Sequence, residues 1–232
     1  MVAGSTRRRR RHEDATREVL AVARRQVARG GPGAVSLRAI AQEMQMTGPA
    51  VYHYFASRND LLNALVQDGF TSLAAAIELA AGSERDAARR LASLLDAYRD
   101  WALAHPHDYL LAFGAPVPGY EPVDELRAPM ARRSMRALVQ AIALTRRSRR
   151  QPAATVTVPG WLGAELARWR MRYRLDGAVV DLATALRVWT HAHGIVSLEL
   201  SGHLATVLGD GRAFYRRAIE QILGRALPWR KS

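Results

Sequence analysis

Seven histidines and a dense set of arginines are the side chains here best suited to chemistry. His191 and His193 lie two residues apart, which on a helix turns them roughly 200° from one another, so they cannot chelate one ion. His105 and His107 flank Pro106 with no cysteine or spaced carboxylate pair near them. No Ser/His/Asp order, phosphate-cradling glycine loop or dinucleotide fingerprint occurs, so no enzyme, metal or cofactor is expected. The chain has no cysteine, which excludes disulfides, thiolate zinc sites, iron–sulfur clusters and thiol catalysis, and fits a reducing cytosol. What remains is recognition chemistry. Tyr52 and His53 can hydrogen-bond phosphates or base edges, and Gly48 and Pro49 beside them are small enough to allow close approach. Arg7 to Arg11 form an unbroken basic run.

Charge supports that direction. In 232 residues, 34 Lys+Arg stand against 21 Asp+Glu, a formal +13 that favours an anionic partner. Hydrophobic residues make up 49% and charged residues 24%, as in an ordinary globular protein with a sizeable core. No apolar run is long enough to span a bilayer. The basic start leads into His12-Glu13-Asp14, not into the apolar stretch of a signal peptide. The expectation is a cytoplasmic protein with no membrane partner.

The recognition residues need elements to position them, and the spacing predicts helices throughout. A first helix is expected from about Glu13, with Ala15, Val19, Val22 and Val27 on its apolar stripe, ending at Gly30-Gly31-Pro32-Gly33. Ser36 caps a short helix carrying Leu37, Ile40, Ala41 and Met44 inward. Gln45-Met46 turn the chain, and Thr47 caps a second short helix with Pro49 in its first turn. Ser57 caps a long fourth helix with Leu61, Leu62, Leu65, Val66, Phe70 and Leu73. Leu37, Ile40, Met44, Met46, Val51 and Phe55 can converge into a small core, leaving Gly48, Pro49, Tyr52 and His53 outward: a helix-turn-helix. Five adjacent arginines repel one another, so residues 1–12 are expected to be a disordered arm. Its Arg9, Arg10 and Arg11 would follow phosphates or enter a narrowed minor groove.

The stretch Ser36 to Leu62, above all Val51-Tyr52-His53-Tyr54-Phe55 followed by Ser57-Arg58 and Asp60-Leu61-Leu62, resembles the TetR family signature. The resemblance implies that Arg38 touches DNA and that Thr47, Gly48, Pro49, Tyr52 and His53 form the reading surface. It further implies that Tyr54 lies close to phosphate and that Arg58 contacts the backbone from a position usually held by Lys. One residue departs from the pattern: Gln45 stands where Gly is common, and a left-handed Gln costs roughly 1 kcal/mol.

Beyond Gly82-Ser83, helical spacing continues over about 84–104, 107–114, 122–145, 160–175, 179–203 and 210–224, separated by Pro and Gly. Thr155-Val156-Thr157-Val158 reads as extended loop and Arg146 to Arg150 as a solvated linker. The predicted class is all-α. Residues 13–60 are the DNA-binding domain, and 61–232 form a larger helical body that binds an effector and dimerises. Trp101, Tyr109, Phe113, Met130, Met135, Trp161, Trp169 and Tyr173 are candidates for an apolar effector pocket, with ordinary core as the competing reading. Trp189 to Gly202, His105 to Tyr109 and Pro116 to Tyr120 resemble one TetR subgroup with a Trp, His and Gly signature. That resemblance implies dimerisation through the last two helices and a variable pocket.

The spacing of Leu182, Leu186, Trp189, His193, Val196 and Leu200 gives one continuous stripe, and Phe214 (or Tyr215), Ala218, Ile222 and Leu223 a second. Leu186, Trp189, His193, Val196, Leu200, Ala218 and Ile222 are therefore the expected homodimer contacts, with burial inside one subunit as the alternative. The expected function is a TetR-type regulator, acting as a repressor on palindromic double-stranded DNA and released by an apolar or aromatic small molecule. A ligand-independent DNA-binding or architectural protein is the main rival, and a helical enzyme with a vestigial helix-turn-helix a remote one.

Overall fold

The turns that end two of the helices show how local sequence builds this fold. Helix α2 (Leu37–Glu43) stops because Gln45 takes a left-handed conformation, φ 55°, and α8 (Gly160–Tyr173) stops in the same way at Arg174, φ 48°. In both, two backbone N–H groups past the helix close onto its last free carbonyls: Gln45 to Gln42 and Met46 to Ala41, Arg174 to Met171 and Leu175 to Arg170. The computed structural model describes residues 2–121, 123–149 and 158–226; of 2–5, 124–131 and 225–226 it describes the backbone alone. Among these residues every regular element is helical.

The chain divides into two compact units. The first holds residues 1–70 and 105–127: α1 (Val2–Gly30), a 3₁₀ turn at Pro32–Ala34, α2, α3 (Gly48–Tyr52), the start of α4 (Arg58–Ser83), and α6 (Pro106–Phe113). It is larger than the segment 13–60 that the sequence marks out. Val19, Val22, Ala23 and Val27 of α1, Ile40 of α2, Val51 of α3 and Leu61, Leu62 and Leu65 of α4 are all buried and form its core. Phe113 of α6 meets Phe70 edge-on at 5.2 Å between ring centres, and Tyr120 donates to Asn63 at 2.8 Å. Arg24 of α1 pairs with Asp68 and, at 3.2 Å, with Asp108 of α6.

The second unit holds residues 71–104 and 128–232: the rest of α4, α5 (Ala87–Ala104), most of α7 (Asp124–Ser148), α8, α9 (Val179–Leu200) and α10 (Gly211–Ala226). Its core is Leu91, Leu94, Leu95 and Tyr98 from α5, Val139 and Ile142 from α7, Leu182, Ala185, Val188, Ala192 and Val196 from α9, and Tyr215 and Ile219 from α10. Gly177, φ 136°, leads into α9 where a Cβ would stand 2.8 Å from Val139, so both its backbone angle and the approach of α7 require glycine.

Three sequence expectations are corrected. The arm is not disordered: α1 runs as one helix from Val2. Arginine is a good helix former, and Arg9–Glu13 and Arg17–Asp14 pairs one turn apart offset the repulsion. Arg146 does not begin a solvated linker, and Arg150 of that expected linker lies outside the described residues. Helix α7 reaches Ser148, and Arg146 grips Asp181 (1% exposed) with Nε at 2.7 Å and Nη2 at 3.0 Å. Finally, Thr47 sits at the cap position of α3 but makes no capping hydrogen bond. Thr155 to Thr157 of the expected extended loop lie outside the described residues.

Candidate nucleic-acid interface

The interface is built on α2 and α3. Ser36 starts α2 by accepting from the Ala39 N–H at 3.3 Å, and its own N–H is held by the Gln26 side chain at 2.9 Å. Leu37, Ile40 and Ala41 bury the inner face of α2. The left-handed Gln45 then turns the chain within a few residues into Thr47 and α3. Helix α3 is anchored at two points: Val51 is fully buried and Phe55, just past its end, is 8% exposed. With that side fixed, the opposite side must face out. Thr47, Gly48, Pro49, Tyr52 and His53 are all exposed, Tyr52 at 53%. A Cβ at Gly48 would meet no protein atom within 4 Å, so packing inside the chain does not demand a glycine there. Arg38, in the first turn of α2, is exposed as well.

Two of the predicted DNA contacts are otherwise engaged. Arg58 donates from Nε to the Val35 carbonyl at 3.1 Å and from Nη2 to the Pro32 carbonyl at 2.8 Å, so it fastens the link between α1 and α2 and is not a free guanidinium. Tyr54 is half-buried, its ring stacked on His12 of α1 at 5.0 Å and 20°. Of the arm residues, Arg9 bonds Glu13 at 2.8 Å, while Arg10 and Arg11 are exposed on the helix.

The eight expected pocket residues are divided between the two units. Tyr109 (1% exposed) and Phe113 belong to the first unit, where the Phe113 ring meets those of Tyr109 and Phe70. In the second unit Trp101 is buried and donates to Ser72 at 3.0 Å, which makes it core. Trp161 is 72% exposed and lines nothing enclosed in the subunit. Trp169 and Tyr173 meet edge-on at 6.3 Å on α8, and both are half-buried, as is Met135. The Met130 side chain is outside the described residues.

The expected dimer stripe splits in two. Val196 is fully buried with Val188 and Ala192 in the subunit core, so it is not a surface residue. Leu186, Trp189, His193 and Leu200 on α9, and Ala218 and Ile222 on α10, are half-buried. Leu198 (47% exposed) and Phe214 (41%) add open apolar surface on the same helices. The reason is periodicity: at 3.6 residues per turn a 4-3-4-3-4 stripe is wide enough for its edges to serve different neighbours.

Spacing alone missed a polar seam in the second unit. Arg99, buried on α5, pairs with Glu199 of α9, with Nε to Oε2 at 2.9 Å. One residue away the Tyr98 hydroxyl lies 3.1 Å from Nδ1 of His193. Burial pushes the His193 imidazole below its ordinary value. In Arg146 the hydrogen bond to Asp181 raises the pKa against the opposing effect of burial. The signal available in the sequence was a charged residue four positions after Leu95, on the edge of an apolar stripe.

Similarity to known proteins agrees with this geometry. Residues 19–65 match the model of the bacterial regulatory proteins of the TetR family, and residues 91–222 that of the tetracyclin repressor-like C-terminal domain. The HTH-type transcriptional regulators Rv1816 of Mycobacterium tuberculosis and Mb1846 of Mycobacterium bovis are each 29% identical over 201 residues, covering 84% of this chain and 85% of theirs. The solved structure of SCO4313, a protein classed as regulatory, superposes with a TM-score of 0.79 at 33% identity, covering 93% of this chain and 98% of that one. A TetR-family protein from Rhodococcus RHA1 shares the fold at a TM-score of 0.62 and 22% identity over 94% of this chain and 98% of its own. With a helix-turn-helix whose reading face is exposed and a helical C-terminal body, this chain belongs to the TetR family of bacterial transcriptional regulators.

Proposed function

We propose that the protein is a homodimeric repressor that reads a palindromic operator and is released by an apolar or aromatic small molecule. The observation that carries the reading is the exposed face Thr47-Gly48-Pro49-Tyr52-His53, backed by the buried Val51. A rigid short helix with its outer side free is what insertion into a major groove requires. Arg38 adds a phosphate or base contact from α2. The half-buried residues Leu186, Trp189, Leu200, Ala218 and Ile222 supply the edge along which α9 and α10 meet their copies in a two-fold four-helix bundle. Two-fold symmetry then demands half-sites about one DNA turn apart, roughly 34–36 Å. An effector releases DNA by binding more tightly to the dimer whose reading helices are wrongly spaced. Met135, Trp169 and Tyr173 are the half-buried side chains best suited to line its site.

The test is to select bound sequences from a random DNA pool and measure their affinity by fluorescence anisotropy at fixed salt. Tyr52→Ala and Arg38→Ala are expected to lose operator binding while keeping wild-type helical content. Affinities within a few fold of wild type for both variants would refute the reading surface.

A further inference from the structure

We infer that the N-terminal arginines act as a rigid helical extension of the DNA-reading surface, in which Arg8 and Arg11 contact operator phosphates and Arg7 and Arg10 do not. The inference rests on the operator reading above and names a second element of the same surface.

Three observations carry it. Residues 6–12 are part of the single helix α1, so their directions are set by the 100° step between residues. His12 stacks on Tyr54 at 5.0 Å and 20°, and Tyr54 follows the reading helix α3 by two residues. The side of α1 that bears His12 is therefore the side next to the reading helix. One turn back, Arg8 lies about 40° from His12 around the helix, and Arg11 about 100° away. Arg9 is some 60° away on the other flank, where its Nε donates to Glu13 at 2.8 Å. Arg7 and Arg10 fall about 140° and 160° away, on the far side. The side chains of residues 7–11 are all exposed, and among the described residues neither Arg8 nor Arg11 forms an ion pair.

The occupant follows from charge and place. A polyanion bound along α3 presents phosphates to whatever basic surface adjoins that helix. A straight helix, unlike a loose arm, cannot wind into a minor groove; it meets phosphates along one line. With 1.5 Å of rise per residue, Arg8 stands about 6 Å along α1 from the stacked ring. The extension thus widens the contact beyond the base pairs read by α3.

The experiment compares four single variants, Arg7→Gln, Arg8→Gln, Arg10→Gln and Arg11→Gln, by anisotropy on the selected operator over a salt series. Arg8→Gln and Arg11→Gln should each weaken binding severalfold and reduce the slope of log K against log salt by roughly 0.9, the loss of one phosphate contact. Arg7→Gln and Arg10→Gln should stay within twofold of wild type. Equal losses at all four positions would overturn the proposal in favour of a flexible arm, and no loss at any would leave only a solubilising tail. A fifth protein keeps every charge but carries a Pro-Gly insertion between Arg11 and His12. Proline there is tolerated as the first residue of a shortened α1 and uncouples the arginines from it. It should bind as weakly as the Arg8→Gln/Arg11→Gln double variant, and wild-type affinity would overturn the rigid helix. Failure of the wild-type protein to bind any DNA sinks the operator reading itself, whereas loss on Tyr52→Ala with no arginine effect sinks this inference alone.

Discussion

His193 carries a proton balance that reaches the stability of the whole body. Half-buried on α9, its ring sits 5.5 Å from that of Trp189, and its Nδ1 is 3.1 Å from the Tyr98 hydroxyl. Burial lowers its pKa below the ordinary 6.5. The folded protein then resists a proton that the unfolded chain accepts. Its contribution to stability is full above the unfolded value and is lost as pH falls through the folded one. Thermal unfolding of wild type should therefore weaken between pH 7.5 and pH 5.5 by more than that of His193→Gln, measured by circular dichroism. Parallel pH profiles would mean that the imidazole titrates alike in both states. Asp181 shows the opposite kind of buried charge. It accepts two N–H groups from Arg146 and the Ala178 N–H at 2.9 Å, so its lone pairs are largely used.

At the scale of elements, the turns decide where the reading helix points. Met46 closes on Ala41 at 2.8 Å only because Gln45 adopts φ 55°. Glycine at that position would reach the same geometry without the Cβ clash, which costs an L residue roughly 1 kcal/mol. Gln45→Gly should thus stabilise the fold by about that amount in urea unfolding, with operator affinity unchanged. A destabilised variant would show that the gain is outweighed by the freedom glycine gives the unfolded chain. Arg58 works at the same scale. By holding the Val35 and Pro32 carbonyls it ties the entry of α2 to the start of α4.

At the scale of the molecule, the question is which apolar surface belongs to the subunit and which to an assembly. Val196 is fully buried inside one chain, whereas Ile222 is half-buried. Val196→Glu is expected to unfold the protein, because a carboxylate would be placed in a dry core. Ile222→Arg is expected to give a folded monomer by light scattering that no longer holds the operator. A wild-type mass of one chain at micromolar concentration would defeat the dimer. The same scale governs the aromatic residues, which are divided between two compact units. Trp101 and Tyr109 are occupied in packing, and Trp161 is open to solvent.

Much of this was readable in the residues alone. Helix ends were written in Ser36, Ser57, Gly30-Gly31-Pro32 and the Pro and Gly breaks of the C-terminal half, because capping and turn preferences are local. The outward placement of Tyr52 and His53 followed from the periodic burial of Val51 and Phe55, again a local rule. Tertiary structure alone decided the rest. That Arg58 would turn to backbone carbonyls, that Arg146 would find Asp181, and that His12 would stack on Tyr54 each depends on residues 23, 35 and 42 positions apart. Spacing along one helix tells which residues share a face. It does not tell which other helix that face will meet, because the free energy of burial is non-directional and the partner is chosen by the packing of the whole chain.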